Sequence, residues 1–493
     1  MYTEQAWIYK RAALSPTKIA LIDSGTDEQW SYQTLTEHIS KWVYFFQEKN
    51  YQKGDRIVVL SQNRIELFAI LFACGISGLL YVPLNFRLSK VELAYILEDC
   101  KPVLIIHDEA HQTISHTFVQ VDRLLLTSVL EKAAFFYPSS HNWSASDSWI
   151  IIYTGGTTGK PKGVELSFDA VNWNAINTIT SWGLSDSDCT LNYMPMFHTG
   201  GLNALCIPIL MAGGTVVVGA RFDAEEAIKA LNTYKTTLSL FVPTMYQAML
   251  DTTYIQTATF PTVKVFLSGG APCPHTIYQR FEEKGILFKE GYGLTEAGPN
   301  NFFIDPLDVG KKRGSVGKCM LFNEVKIINE NGELCRTNEV GELYISGKHV
   351  FTKYWNNEEE TNRAFVDGWL KTGDLAKVDE EGYYYIVGRK KEMIISGGEN
   401  VYPQEVEQCL VLHPNVKEAA VIGVADEKWG ECVTAFVTCS TVSESFEMEL
   451  LQSCKRELGG YKVPKKIYIL DELPRTDVGK IDKKCLQELA VKI

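Results

Sequence analysis

Twelve cysteines are scattered through the chain without one C-x-x-C pair, and the nearest two are Cys432 and Cys439. That spacing excludes a zinc ribbon and a thioredoxin-like redox motif. The N-terminus, MYTEQAWIYKRAAL, lacks the basic start and apolar run of an export leader. Scattered thiols without a leader are expected to be idle or buried in a reducing compartment, so the expected location is the cytoplasm. Positive charge is short as well: 48 Lys and Arg stand against 60 Asp and Glu, a net charge of −12. That balance argues against bulk binding of nucleic acid or of an anionic membrane. A small phosphorylated ligand stays open, because a few local groups can hold one. Internal repeats, low-complexity tracts and long Pro/Gly/Ser linkers are missing too.

What is present is ordinary globular usage, 45% apolar and 22% charged, which excludes a disordered, collagen-like or disulfide-framework protein. At about 150 residues per domain, 493 residues suggest two to four domains. One run, LFAILFACGISGLLYVPL (67–84), has no charge and is long enough for a membrane span. Gly75, Gly78 and Pro83 interrupt it, so a buried helix running into a buried strand is the better expectation. Residues 202–218 behave alike, with Gly213 and Gly214 between a helix-like half and TVVV.

The apolar runs RIVVL (56–60), PVLIIH (102–107), WIIIY (149–153), GTVVVG (214–219) and VKVFLSGG (263–270) read as buried strands. Helix-like segments such as 65–75 and 223–234 fall between them. The expected fold class is therefore α/β, with a large N-terminal domain of mostly parallel sheets. Such sheets place ligands beyond the carboxyl ends of their strands. From Gly314 short strands broken by NG and EG turns predict a β-rich subdomain over 314–388. The large domain is expected to span 1–388 and a small, mobile α/β domain 389–493, with a hinge near Lys391.

The densest chemical signal is YTGGTTGKPKG (153–163), which follows a predicted strand. Glycines let backbone N–H groups turn toward an anion, while threonines and lysines add donors and charge. This is a polyphosphate cradle but not a Walker A loop, because Thr154 stands where that pattern needs Gly. Pro161 stands where it needs Ser or Thr.

This segment resembles the phosphate loop of the adenylate-forming superfamily, which includes acyl-CoA synthetases, peptide-synthetase adenylation domains and luciferases. Gly155 replaces the serine usual there. Further resemblances follow in the family's order: PMFHTGGL (195–202), SGGAP (268–272), GYGLTE (291–296), KTGD (371–374), GRKKEMIISGGENVYPQEVE (388–407) and PRTDVGK (474–480). The first 150 residues match only in texture.

The resemblance implies ATP, Mg²⁺ and coenzyme A as reactants, and it implies residue roles. Lys480 would bridge the carboxylate and the α-phosphate, where negative charge builds up in the transition state. Glu296 would hold Mg²⁺, with an oxygen from Thr154 or Thr295 nearby. Thr154, Gly155, Gly156, Thr157, Thr158, Gly159 and Lys160 would cradle the phosphates. Gly269, Gly270, Ala271, Gly291, Tyr292 and Gly293 would surround adenine, with Tyr292 packing on the base. Asp374 and Arg389 would bind the ribose hydroxyls, or else form an ion pair across a domain boundary. His198 would line the acyl pocket, or else be a structural histidine.

Lys391 matches the hinge. A rotation about it would exchange Lys480 for the loop 395–402, where Gly397, Gly398 and Glu399 would border a pantetheine tunnel; the alternative is a plain β-turn. Lys462, with Lys465 and Lys466, would meet the 3′-phosphate of coenzyme A.

The expected activity is an ATP-dependent acid–thiol ligase forming an acyl-adenylate and then an acyl-CoA. Residues 195–220 contain no Lys or Arg, which points to a mostly apolar fatty or aromatic acid. The alternatives are an o-succinylbenzoate–CoA ligase, a stand-alone loader of a carrier protein, and a catalytically dead nucleotide-binding protein. The expected partners are small molecules, without nucleic acid or a membrane span, and a homodimer is compatible with them.

Overall fold

The computed structural model describes residues 4–118, 121–129, 144–155, 160–271, 273–439, 445–476 and 480–492. Among these, strands build two seven-stranded sheets, two five-stranded sheets and one small hairpin sheet. In the first large sheet the order is Phe288–Glu290, Val265–Ser268, Leu238–Phe241, Cys189–Asn192, Thr215–Val218, Ile19–Asp23 and Gln29–Ser31. All neighbours are parallel except the last pair. The second orders Lys353–Tyr354, Lys162–Ser167, Ser148–Thr154, Leu80–Pro83, Arg56–Leu60, Leu104–His107 and Asp122–Leu125. It is parallel from Ser148–Thr154 onward and antiparallel before it. These are the Val/Ile-rich runs of the sequence, buried on both faces as parallel strands must be.

The uncharged run 67–84 becomes the helix Glu66–Ser77, buried on nearly every side, and the strand Leu80–Pro83. Gly78, at φ +72°, ends the helix in the left-handed conformation that glycine adopts freely. No helix among the described residues is long and apolar enough to cross a membrane. Ser167 caps the helix Phe168–Trp182 by accepting from the Ala170 amide, and this helix runs beside Cys206–Ala212. Trp149 packs between Phe72 and Phe168 and ties the second sheet to that helical layer.

A five-stranded sheet follows in sequence, made of Glu324–Ile328, Gly341–Ser346, Phe365–Val366, Trp369–Val378 and Tyr384–Arg389. The chain leaves it once, when Lys353–Tyr354 adds an edge strand to the second large sheet. Arg389 is still paired in the sheet, opposite Asp374, so the chain departs at Lys390 rather than at Arg389. The last five-stranded sheet contains Ile394–Ser396, Glu399–Val401, Val416–Asp426, Gly430–Cys439 and Lys466–Ile469. Helices Pro403–Val411, Phe446–Glu457 and Lys483–Lys492 cover it. Its apolar clusters, around Val421, Val433 and Leu450 and around Ile422, Phe436 and Leu486, draw on residues 394–490 alone.

Candidate active site

The first large sheet sends several candidate residues to one rim. Gly269, Gly270 and Ala271 follow Val265–Ser268, while Gly291–Glu296 follows the adjacent parallel strand Phe288–Glu290. The Gly291 amide donates to the Ser268 carbonyl at 2.8 Å, so the two loops leave side by side. His198 lies beyond the carboxyl end of Cys189–Asn192, where it precedes the short helix Thr199–Asn203. Thr154 ends its own strand in the second large sheet, half-buried, and Gly155 beyond it is exposed.

The strand Ser148–Thr154 turns back antiparallel into Lys162–Ser167, so the loop between them joins two strands and feeds no helix. Pro161 had indicated as much. Gly156, Thr157, Thr158 and Gly159 lie outside the described residues. Lys160 is exposed, with its ammonium 5.5 Å from the Tyr95 ring. Glu296 reaches across to the second sheet, where its Oε1 accepts from the Tyr354 hydroxyl at 2.9 Å. Thr295 beside it is buried.

Asp374 and Arg389 face each other across neighbouring strands. Arg389 Nε forms an ion pair with Asp374 Oδ1 at 2.7 Å, and the Tyr292 hydroxyl donates to Oδ2 at 2.6 Å. The ion pair exists, but within one sheet rather than across a domain boundary. Asp374 is 4% exposed, whereas the Arg389 side chain is 44% exposed. Burial pushes the Asp374 carboxyl above its usual range, against the pull of Arg389 and Tyr292.

Lys480 completes this group from the far end of the chain. Its carbonyl accepts from the Thr476 amide at 2.7 Å, and Arg475 pairs with Ile481. Asp482 caps the final helix, and Lys483 bonds Glu392 at 3.2 Å and Glu407 at 2.8 Å. Those contacts tie the tail to the segment just past Arg389. The Lys480 ammonium thereby feels Arg389, Asp374, Glu392 and Glu296, and its pKa is lowered by desolvation first and by Arg389 second. The residue keeps solvent access. Burial, with Lys480 and Arg87 as cations nearby, pushes His198 down to about 4 and keeps its imidazole neutral. Among the described residues, the buried His198 Nε2 has no hydrogen-bond partner.

The second cluster sits on the small sheet. Gly397 and Gly398, at φ +62° and +83°, form the two-residue turn of the hairpin between Ile394–Ser396 and Glu399–Val401. Glycine enters such a turn without strain. Glu399 opens the return strand and is exposed, as is Lys391. Both Glu405 oxygens hold the Lys462 ammonium at 2.7 Å, which matches its charge in this structure. Lys465 and Lys466 are exposed.

Sequence reasoning overlooked Trp429. It is 36% exposed, lies against Gly397, and has the Lys428 and Lys465 ammonium groups 4.8 and 5.6 Å from its ring. A tryptophan flanked by Lys428 and Gly430 was the available signal. Tyr354 carried none, because only the pairing of its edge strand brings it to Glu296.

Fold and site together define an ATP-dependent ligase of carboxylic acids. The chain belongs to the AMP-binding enzyme family: the enzyme profile matches residues 8–355, and the family's C-terminal domain matches residues 405–480. It is 37% identical over 480 residues to a feruloyl-CoA synthase of Amycolatopsis sp, covering 97% of both chains. It is 34% identical over 500 residues to the indoleacetate–CoA ligase of Aromatoleum aromaticum, covering 99% of this chain and 98% of that one. The o-succinylbenzoate CoA synthetase of Bacillus subtilis, solved with its acyl-adenylate intermediate, superimposes with a TM-score of 0.89 at 33% identity. That match covers 98% of this chain and 97% of the other.

Proposed function

We propose that this chain couples an aromatic carboxylic acid to coenzyme A in two steps, through an acyl-adenylate, releasing pyrophosphate and AMP. The observation that carries this reading is the convergence of Lys480, Glu296, His198 and the Tyr292–Asp374–Arg389 group on one rim.

In the first step a carboxylate oxygen attacks the α-phosphate and pyrophosphate leaves. Attack places extra negative charge on the phosphoryl oxygens, which a positioned ammonium stabilises. Lys480 is that group. Neutral His198 faces the incoming carboxylate without demanding a proton from it. Asp374 accepts from the ribose diol, and Arg389 holds the carboxylate in place while adding donors of its own. Tyr292 is anchored through its hydroxyl, which fixes its ring for stacking on adenine.

Magnesium would neutralise triphosphate charge. A hard cation that keeps several waters needs one or two protein oxygens beside the phosphates, and Glu296 with Thr154 fits that demand. Among the described residues no three His, Cys, Asp or Glu gather into a metal cage of their own, which suits an ion carried in by the nucleotide.

In the second step the small unit rotates about Lys391, a hinge-type exchange. Lys480 withdraws, and the Gly397–Gly398 turn enters beside the acyl-adenylate. The thiolate of coenzyme A then attacks the carbonyl and AMP leaves. Trp429 offers a stacking face for the coenzyme's adenine, with Lys428 and Lys465 beside it for phosphate.

The aromatic character of the acid rests on the two relatives and on the uncharged stretch 195–220. A second reading is o-succinylbenzoate, favoured by the structural likeness and by Arg87, a cation whose field reaches His198. A panel of carboxylic acids with ATP and coenzyme A decides between them, read by pyrophosphate release and thioester formation. Turnover of neutral-ring aromatic acids is expected. Turnover confined to fatty acids, or release without thioester, would overturn the reading.

A further inference from the structure

The helix Phe168–Trp182 presents Asn172, Asn174, Asn177 and Thr178 to the interior, an unusual density of buried amides. Most are paired. Asn177 Nδ2 donates to Asn323 Oδ1 at 2.5 Å, and the Thr178 hydroxyl donates to the Asn174 carbonyl at 2.7 Å. Asn174 is the exception. Its Nδ2 donates to the Asn203 carbonyl at 2.8 Å, which fixes the nitrogen end of the amide, yet among the described residues its buried Oδ1 has no partner. Asn203 beside it bonds Thr199 Oγ1 at 3.1 Å through one end of its amide, and among the described residues the other end has no partner. Asn174 is 1% exposed and Asn203 is 2% exposed. A buried acceptor left alone costs about 1–3 kcal/mol, so Asn174 Oδ1 marks a place where a donor is expected from outside the protein.

Their position ties them to the reaction. Gly298, at φ +67°, lies against Asn174: a methyl there would stand 2.8 Å from Oδ1. Gly298 is two residues past Glu296. Asn203 ends the helix Thr199–Asn203, and His198 stands at that helix's start with Nε2 also unpartnered among the described residues. The unpaired Asn174 oxygen beside Gly298 thus stands next to the loop that carries Glu296, and the helix that follows His198 ends at its neighbour Asn203.

We propose that Asn174, with Asn203 beside it, is a specificity-determining residue that accepts a hydrogen bond from an O–H or N–H on the remote end of the acid's ring. The proposal rests on the aromatic-acid reading above. An amide oxygen attracts a phenolic hydroxyl or an indole N–H and repels a second carboxylate. A site built to bond a hydroxyl rejects the analogue lacking it strongly, because the protein's polar group is then left unpaired.

The test compares kcat/KM for pyrophosphate release by the wild-type enzyme on two series. One is 4-hydroxycinnamate, 4-methoxycinnamate, cinnamate and 4-carboxycinnamate. The other is indole-3-acetate and its N-methyl derivative. In at least one series the donor-bearing acid is expected to exceed its masked partner by about 10²-fold or more. Parity in both series, or preference for the 4-carboxy acid, would overturn the proposal while leaving an aromatic ligase standing. Release with none of these acids would overturn both readings. Asn174→Leu is expected to bring the donor-to-masked ratio close to one while cinnamate is still turned over. An unchanged ratio in that variant would count against the assignment, and if the variant does not fold the wild-type series decides alone.

Discussion

Replacing Lys480 with alanine separates the two half-reactions. The ammonium stands among Arg389, Asp374, Glu392 and Glu296, where the α-phosphate of a nucleotide held by Asp374 would lie. A unit charge acting at about 4 Å through an effective dielectric of about 20 contributes roughly 4 kcal/mol. About 1.4 kcal/mol is a factor of ten in rate, so adenylation should fall by about 10³-fold. Lys480 is exposed, so the substitution should cost the fold under about 0.5 kcal/mol, and unfolding will not mimic the rate loss. Pyrophosphate release measures the first step. Thioester formation from a synthetic acyl-adenylate measures the second, and it should stay within a few-fold of wild type if the proposed rotation has withdrawn Lys480. Equal losses in both steps would refute the division of labour between two poses. A pH signature accompanies the rate. The Lys480 pKa is lowered, so its charge is lost earlier than for an ordinary lysine as pH rises. Adenylation in the wild type should therefore decline on the alkaline side below the usual lysine range.

Three further outcomes are expected. Glu296→Gln keeps an oxygen for the Tyr354 hydroxyl but removes the charge, so the magnesium concentration for half-maximal adenylation should rise at least about 10-fold; an unchanged magnesium titration would remove Glu296 from that role. His349 is buried and pushed down to about 4, with Nε2 donating to Asn301 Oδ1 at 2.9 Å. Its unfolded form takes a proton near pH 6.5, so stability should fall as pH drops from about 6.5 to about 4, by up to about 3 kcal/mol. Urea midpoints at pH 7 and pH 5 measure this, and His349→Gln should reduce the difference, with the depressed His38 and His198 carrying what remains. Gly398→Leu should slow the coenzyme A step by an order of magnitude or more and spare pyrophosphate release. Gly398 has open space around it at φ +83°, so the variant pays only backbone strain of about 1–2 kcal/mol, and an unaltered second step would show that the turn does not border the thiol's path.

Much of the fold could be read along the chain, because burial on both faces imposes runs of Val and Ile that need no distant information. RIVVL, WIIIY and TVVV are strands for that reason, and Gly78 and Gly213 stop helices where the runs break. The motif residues at the rim were legible too, since a Gly- or Thr-rich loop after a strand is itself a chemical pattern. Partnerships were not legible. Lys462 looked like a free cation until Glu405, 57 residues away, took both sides of its ammonium. Asp374 and Arg389 needed their strand register, and Glu296 needed an edge strand that returns from another sheet.

The amino-acid order by itself therefore determined the layers, the ligand-bearing ends of the strands and the kinds of groups that stand there. Only the folded chain decided which charges are already matched, as at Lys462, and which acceptors still want a donor, as at Asn174. Strand and helix follow from periodicities of a few residues, whereas pairing follows from approach between segments tens to hundreds of residues apart, and spacing along the chain carries no record of that approach.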